Sequence, residues 1–327
     1  MEIKYLDIPY DTPEWYSFRK NSTLGASEVA TCMGMNPYEC KLQLFHRKLG
    51  ILPDKKKTLP MLLGNMSENL IAELYSYYEK DEVKFIENIS KKNKVREVES
   101  TGGICTNSLY KNLFASLDRK CMENGESIAL EFKTKSMMSY RMYANEINPA
   151  EAIQLATQLI VSRMSKDRIV YLIENRQFEV FEMDLKTAMT LEKRIVKESN
   201  DFCDRVAKGK ILLNQIANAK DNYNMALAEK LTQELYKLEP QENTQAYLDY
   251  YTDIVKQRKA SVPMKGTDEL LKKALQDKKI SEQIKKLTKQ QVSLRCDLVN
   301  SMEDKLEIDF GKLGKVNIAG KFQNKIK

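Results

Sequence analysis

Capping residues and the spacing of apolar residues predict several helices in the first half of the chain. Residues 12 to 20 and 148 to 164 each begin with a capping residue followed by proline, which is a common start of a helix. Residues 60 to 80 carry four apolar residues at helical spacing: Leu63, Leu70, Ile71 and Leu74. These segments are therefore expected to be helices, and the helix at residues 60 to 80 is expected to have one apolar face.

Extended segments alternate with these helices. Residues 112 to 118 and 128 to 133 are short β-prone runs on either side of a turn-rich stretch, so we predict two strands joined by a polar loop. Residues 168 to 184 predict two more strands. Residues 83 to 99 are β-prone but broken by lysines, and they predict one or two exposed strands. The alternation indicates an α/β or α+β fold, with helices packed on the faces of a sheet.

Helices and lysines dominate the C-terminal part. Residues 185 to 208 predict one long helix, and residues 306 to 318 predict a short hairpin. Between 265 and 289 there are eight lysines against four acidic residues. We therefore predict a first domain at residues 1–208 and a mainly helical, lysine-rich region at residues 209–327. That region is consistent with an appendage that contacts DNA or forms oligomers, and equally with a solvated surface.

Composition narrows the classes of protein. With 327 residues, of which 42% are hydrophobic and 30% charged, the chain can build a substantial core. It contains no apolar run of membrane-spanning length and no signal-peptide pattern, so a cytoplasmic location is expected. Six scattered cysteines and a single histidine argue against a zinc or iron–sulfur site and favour reduced, buried thiols. The net charge of +7 permits a nucleic-acid partner without requiring one.

The candidate chemistry lies on the two central strands. Side chains alternate along a strand, so Glu131 and Lys133 point to one side and Phe132 to the other, while Asp118 ends the neighbouring strand. Carboxylates can hold Mg²⁺ with its waters, and an adjacent lysine can orient a water and offset charge on a phosphate. In isolation, this pattern also fits the solvated face of a sheet in so charged a chain.

Other candidates lie on the predicted helices. Trp15 and Arg19 are four residues apart on one face, and Ser27 is placed to begin a second helix, whose N–H groups could bind an anion together with Arg19. An ordinary cap and a surface arginine explain these residues equally well. Glu68 lies one helical turn from Gly64, where a backbone or ligand can approach closely.

Two glutamines on the helix of residues 148 to 164 are further candidates. Gln154 and Gln158 share one helical face. A glutamine there can hold a water or a phosphate, or it can face solvent.

Taken in order, these residues resemble one family. The motifs are Trp15 with Arg19, Gly25-Ala26-Ser27-Glu28, Gly34-Met35-Asn36-Pro37-Tyr38, Gly64 with Glu68, Ser116-Leu117-Asp118, Glu131-Phe132-Lys133 and Gln154. The ordered set resembles the YqaJ-like viral recombinase and lambda exonuclease family of the PD-(D/E)xK nuclease superfamily. The resemblance covers residues 10 to about 185 and departs at Leu117, where the family usually has a proline that is not a ligand.

The resemblance implies a restriction-endonuclease-like core, with a central mixed sheet flanked by helices, and a metal site that uses Mg²⁺ or Mn²⁺. The implied metal ligands are Glu68, Asp118, Glu131 and the backbone carbonyl of Phe132. Lys133 would position or activate the water, and Gln154 would support the water or the lysine. Arg19 and Ser27 match positions that contact a terminal 5′-phosphate.

These inferences together lead us to expect a metal-dependent phage or prophage exonuclease in the bacterial host cytoplasm. It would act on double-stranded DNA ends, usually 5′ to 3′, and expose single strands for an annealing protein. Association of the protein with further copies of itself is also among the expectations, whereas association with a membrane is not expected. The alternatives are a catalytically silent nuclease fold used for DNA binding or assembly, and a related endonuclease. Because every acidic and lysine position of the motif is present, the enzyme is favoured.

Overall fold

The computed structural model describes residues 2–9, 11–20, 23–53, 58–143, 146–257, 267–301, 307–309, 314–317 and 322–324. The chain divides into two compact units, Met1–Arg258 and Lys259–Lys327. All of the candidate site residues belong to the first unit.

Two sheets form the framework of the first unit. The smaller sheet contains, in spatial order, β1 (Ile3–Leu6), β4 (Ile104–Asn107), β5 (Leu113–Ser116) and β2 (Leu24–Gly25). The larger sheet contains β3 (Val98–Glu99), β6 (Arg119–Glu123), β7 (Glu126–Lys135), β8 (Lys166–Ile173) and β9 (Gln177–Asp184). Both sheets are mixed, because β2 pairs with β5 and β7 pairs with β8 in parallel, whereas the other pairs are antiparallel.

Helices cover these sheets and make up most of the C-terminal part. The helices of the first unit are α1 (Pro13–Lys20), α2 (Ala26–Cys32), α3 (Lys41–Lys48), α4 (Leu59–Tyr77), α5 (Glu82–Lys91), α6 (Met137–Arg141), α7 (Pro149–Ser162), α8 (Leu185–Asp221), α9 (Met225–Lys237) and α10 (Gln245–Gln257). The second unit contains α11 (Asp268–Asn300) and the short strands β10 (Glu307–Asp309), β11 (Gly314–Asn317) and β12 (Phe322–Asn324). The predicted boundary after residue 208 falls inside α8, and the role of the lysine-rich region stays a prediction.

The larger sheet has a different apolar layer on each face. Leu130 and Phe132 of β7 pack with Ile71 and Tyr75 of α4. The other face of β7 carries Ala129 into the main core, which α7 helps to form. This period-two alternation confirms that Phe132 points away from Glu131 and Lys133. The parallel and antiparallel strand pairs, with helices packed on both faces, confirm the predicted mixed sheet flanked by helices.

The central hairpin begins later than the sequence predicts. Strands β6 and β7 form the hairpin, and its turn places Asn124 and Gly125 at φ angles of 51° and 79°, as Asn-Gly turns require. The predicted first strand is β5, which ends at Ser116 and belongs to the other sheet. Asp118 therefore lies where the chain passes from one sheet to the other, and the predicted loop after it is largely strand β6.

The predicted strands at residues 83 to 99 are mostly a helix. Asp81 caps α5 by accepting hydrogen bonds from the N–H groups of Val83 and Lys84, at 3.0 and 3.1 Å. Phe85 of this helix packs against Tyr78, with ring centroids 5.4 Å apart. The cap and this tertiary contact outweigh the β propensity of the segment, of which only Val98–Glu99 is a strand.

Two expectations about composition can be compared with the described residues. No helix among them is long and apolar enough to cross a membrane. All six cysteines are free thiols, and only Cys296 is exposed. The prediction of unpaired, mostly buried thiols is confirmed.

Gly103 is required by a close approach of two backbone segments. It has a φ of 128°, and a Cβ atom there would lie 2.3 Å from the carbonyl oxygen of Leu6. We expect Gly103→Ala to lower the free energy of unfolding by roughly 3 kcal/mol or more, measured by urea denaturation. Gly102→Ala is the matched control, because its φ of 77° is also positive but a Cβ there meets nothing within 4 Å. It should cost only about 1–2 kcal/mol, and equal losses would contradict the role of the Leu6 contact.

Candidate active site

One cleft of about 730 Å³ gathers the candidate side chains. The predicted residues that line it are Arg19, Ser27, Glu68, Asp118, Glu131, Lys133 and Gln154. They come from helices α1, α2, α4 and α7, from β7, and from the link between β5 and β6. Residues as far apart in the chain as Arg19 and Gln154 thus share one surface, and their individual roles stay predictions.

Asp118 is fixed against the strand that carries the other candidates. Its Oδ2 atom accepts a hydrogen bond from the backbone N–H of Phe132, at 2.8 Å. Phe132 stands between Glu131 and Lys133, so this bond places Asp118 beside both. The side chain of Phe132 is buried in the apolar layer on the far face of the sheet. Metal ligation by the backbone carbonyl of Phe132 stays a prediction.

Glu131 and Lys133 form an ion pair at the cleft. Glu131 is only 2% exposed, and its Oε1 atom contacts the Nζ atom of Lys133. The lysine side chain itself retains 31% exposure. Burial lowers the pKa of Lys133, but the charges of Glu131 and Asp118 raise it more, so its net pKa lies above the ordinary value. Lys133 is therefore an ammonium ion at neutral pH.

Glu68 joins these carboxylates electrostatically. Burial and the nearby charge of Glu131 raise the pKa of Glu68 above its ordinary value. Burial, followed by Glu131 and then Glu68, raises the pKa of Asp118 well above its ordinary value, although Lys133 opposes this shift. Gly64 does not explain the position of Glu68, since a Cβ at Gly64 would make only an ordinary contact, 3.8 Å from Thr134 Oγ1. The result is a group of mutually repelling carboxylates around one lysine.

The donor chemistry of this group fits a hard divalent cation. Carboxylate oxygens suit Mg²⁺ and Mn²⁺. A cation would offset the burial and the repulsion by Glu131 that together raise the pKa values of Asp118 and Glu68. Across the described part of the chain, no group of three or more histidine, cysteine, aspartate or glutamate side chains is already arranged to hold a metal ion. Mg²⁺ commonly uses one or two carboxylates with water and substrate phosphate, so a complete protein cage is not required.

A second charged group, around Glu28, lines the same cleft. The guanidinium of Arg19 lies over the ring of Trp15, 4.5 Å from its centroid, and contacts Glu28 Oε1 at 3.0 Å. Arg47 contacts the same oxygen at 3.0 Å, and Lys48 contacts Glu28 Oε2 at 2.8 Å. Burial alone would raise the pKa of Glu28, but Lys48, Arg19 and Arg47 together hold it well below its ordinary range. Glu28 is therefore a buried anion that organises three cations.

Ser27 lies beside this group but does not cap a helix. Gly25 is the N-cap of α2, and the capping contact comes from Glu28, whose Oε2 atom accepts the Gly25 N–H at 3.1 Å. The expectation that Ser27 begins the helix is therefore wrong by two positions. Its side chain is exposed and lines the cleft.

The structure separates the two glutamines of α7. Gln154 is half-buried and lines the cleft. Gln158 has no exposed surface, and its Nε2 atom donates a hydrogen bond of 2.7 Å to Glu131 Oε2. The sequence signal for Gln158 was only its position one turn after Gln154 on the same helical face, where the choice between them was open.

The protein is therefore of a definite structural class: it contains a mixed α/β domain with three carboxylates and a lysine in one cleft. Residues 14–165, a little under half of the chain, match the YqaJ-like viral recombinase domain. The resemblance read from the motifs is thereby confirmed, and every candidate site residue lies within the matched range. No curated protein matches the sequence.

Solved structures similar to the chain include three of exonucleases. The alkaline exonuclease LHK-Exo from Laribacter hongkongensis matches with a TM-score of 0.47 and 15% identity, over 63% of this chain and 98% of that one. LHK-Exo in complex with dAMP has a TM-score of 0.48, with the same identity and coverage. A phage related exonuclease from Haemophilus somnus 129PT has a TM-score of 0.41 and 8% identity, over 57% of this chain and 95% of that one. The family assignment rests on the domain match.

Proposed function

We propose that this protein is a metal-dependent exonuclease that digests linear duplex DNA from its ends. The observation that carries the proposal is the convergence of Glu68, Asp118, Glu131 and Lys133 on one cleft of a YqaJ-like domain. Carboxylates beside a permanently charged lysine are suited to hydrolysis of a phosphodiester, because the reaction needs a cation, an oriented water and compensation of phosphate charge.

The residues divide this work among themselves. Asp118 and Glu131 would hold the cation, with Glu68 completing the acidic site, and the cation when bound would supply a more acidic water and neutralise phosphate charge. Despite burial, the charges of Glu131 and Asp118 raise the pKa of Lys133 above its ordinary value. In this proposal Lys133 positions or activates the water and offsets the charge that develops on the phosphate.

The group around Glu28 supports recognition of a terminal phosphate. Arg19, Arg47 and Lys48 contribute three positive charges against the two negative charges of Glu28 and Glu39, which Arg47 also contacts at 3.0 Å. A phosphate near Arg19 and Ser27 would find a net positive group and an exposed hydroxyl. Because the family resemblance matches Arg19 and Ser27 to positions that contact a terminal 5′-phosphate, the proposal includes a preference for 5′-phosphorylated ends and digestion from 5′ to 3′.

Similarity to a viral recombinase domain supports a role in DNA recombination. A viral recombinase domain that shortens one strand would leave a single strand for an annealing protein, in the host cytoplasm. Association of several copies around DNA would make digestion processive. These partners belong to the proposal, and the experiment below concerns the enzyme alone.

The proposal is tested with a linear duplex that carries a 5′-phosphate on both ends, in the presence of Mg²⁺. A covalently closed circle, a linear duplex with 5′-hydroxyl ends and a reaction with chelator are run beside it. We expect loss of the phosphorylated linear DNA only, with nucleotides released first from the 5′ end of an end-labelled strand. Cutting of the circle would instead indicate an endonuclease. Binding of DNA without digestion would support the silent DNA-binding or assembly module.

A further inference from the structure

Gln158 connects the two segments that carry Asp118 and Glu131. Its Nε2 atom donates to Glu131 Oε2 at 2.7 Å and lies 3.3 Å from the carbonyl oxygen of Ser116, which it also contacts as a donor. Ser116 ends β5, two residues before Asp118, whereas Glu131 belongs to β7 in the other sheet. The side-chain amide of Gln158 thus bonds to both sheets, close to the point where Asp118 and Glu131 approach each other.

The orientation of this amide is set by chemistry. Both neighbours, the Glu131 carboxylate and the Ser116 carbonyl, are hydrogen-bond acceptors, so only the NH₂ end of Gln158 satisfies them. With Lys133 on Oε1 and Gln158 on Oε2, each oxygen of the buried Glu131 carboxylate has its own donor. The carboxylate is therefore held from both sides, and Gln158 does so without adding a charge.

Packing of the core does not by itself explain a glutamine at position 158. The Oε1 atom of Gln158 is buried and has no hydrogen-bond partner among the described residues. An unpartnered buried polar atom costs free energy, so the Oε1 atom does not account for a glutamine here. The Nε2 atom does, because an apolar side chain would leave the buried Glu131 Oε2 without this donor. A glutamine in this position is more consistent with a role at Glu131 than with packing of the core.

We propose that Gln158 is a positioning residue, which fixes the Glu131 carboxylate relative to Asp118 for binding of the divalent cation. This inference rests on the proposed function, since it assumes that Glu131 is a metal ligand. Gln158 has no exposed surface and cannot touch DNA, so it acts only through Glu131. Mutation of a residue that holds a metal ligand in this way commonly lowers metal affinity by about 10- to 100-fold.

Gln158→Met tests the proposal because it removes the donor and keeps a side chain of similar length. Thr157→Val is the matched control, since Thr157 is equally buried on α7 but its hydroxyl bonds to Ile153 within the helix. Binding of Mn²⁺ to each folded protein without DNA is measured by titration calorimetry, together with the melting temperature. The Mg²⁺ concentration for half-maximal digestion of linear duplex is measured in parallel.

We expect Gln158→Met to weaken Mn²⁺ binding by about tenfold and to raise the required Mg²⁺ by a similar factor. Gln158→Met should also lower the melting temperature in the absence of metal, because Glu131 Oε2 and the Ser116 carbonyl lose this donor, and Thr157→Val should bind Mn²⁺ normally. Gln158→Leu, which also lacks the donor, replaces Gln158→Met if that variant does not fold. Wild-type Mn²⁺ affinity in the folded variant overturns the role of Gln158 alone. A wild-type protein that neither binds Mn²⁺ nor digests DNA overturns the proposed function as well.

Discussion

Lys133→Ala is expected to lower the rate of linear duplex digestion by about a hundredfold to a thousandfold, the usual effect of removing one group that stabilises transition-state charge. The variant removes the ammonium ion that contacts Glu131, which the neighbouring carboxylates keep protonated. Glu131→Ala should be at least as damaging, because it removes a proposed metal ligand together with the partner of Lys133. Both effects concern the chemical step, so DNA binding should survive better than digestion.

The control for this prediction lies on the same strand. Lys135 points to the same side of β7 as Lys133 but contacts Glu151 rather than the cleft carboxylates. Lys135→Ala should therefore digest DNA at close to the wild-type rate. Circular dichroism and melting curves would establish that all three variants fold. Digestion by folded Glu131→Ala or Lys133→Ala at the wild-type rate would remove these residues from the catalytic site.

The features of the site that depend on local periodicity were accessible from the sequence. Alternation along β7 is enough to place Glu131 and Lys133 on one side and Phe132 on the other, because a strand imposes that geometry on neighbours in the chain. The start of α7 was equally accessible, since Asn148 caps it by accepting the Ala150 N–H at 2.9 Å. Local rules of this kind also account for the predicted order of helices and strands.

Features that depend on packing between distant segments were not accessible. Gln154 and Gln158 lie one turn apart, and which of them reaches Glu131 depends on how far α7 is displaced along β7. That displacement is fixed by contacts of α7 with the core of both sheets. Glu28 presents the same difficulty, because its burial depends on Arg47 and Lys48 from another helix. The motif resemblance identified the segment of Glu28, but nothing local indicated its ion pairs.

The α5 segment shows how propensity misleads. Its valine, phenylalanine and isoleucine residues favour a strand when read singly. Asp81 supplies an N-cap, and Tyr78 and Phe178 offer an aromatic surface, with centroids 5.4 Å from Phe85 in both cases. A cap of this kind contributes about 1 kcal/mol, which is comparable with the whole range of strand propensities.

The pH dependence of digestion is expected to move with metal concentration. A carboxyl group must lose its proton before it binds a cation, and the raised pKa values of Asp118 and Glu68 bring that loss nearer to neutral pH. As pH falls below these raised values, protons compete with the metal, and its apparent affinity should drop about tenfold per pH unit for each proton displaced. At low Mg²⁺, activity should therefore rise steeply with pH. At saturating Mg²⁺, the same rise should occur at lower pH, because the cation displaces the protons.

Thermal stability offers a readout of this coupling that does not involve DNA. A cation that binds the folded chain raises the melting temperature, by an amount that grows with the ratio of its concentration to its dissociation constant. The stabilisation by a fixed Mn²⁺ concentration should therefore shrink as pH is lowered towards the ordinary carboxyl pKa of about 4. Glu131→Ala should show little stabilisation at any pH, whereas Lys135→Ala should follow the wild type. The acidic limb of the activity profile could instead stay at the same pH at every Mg²⁺ concentration. That result would mean that protons and metal do not compete for these carboxylates. The three acidic residues would then need a role other than cation binding.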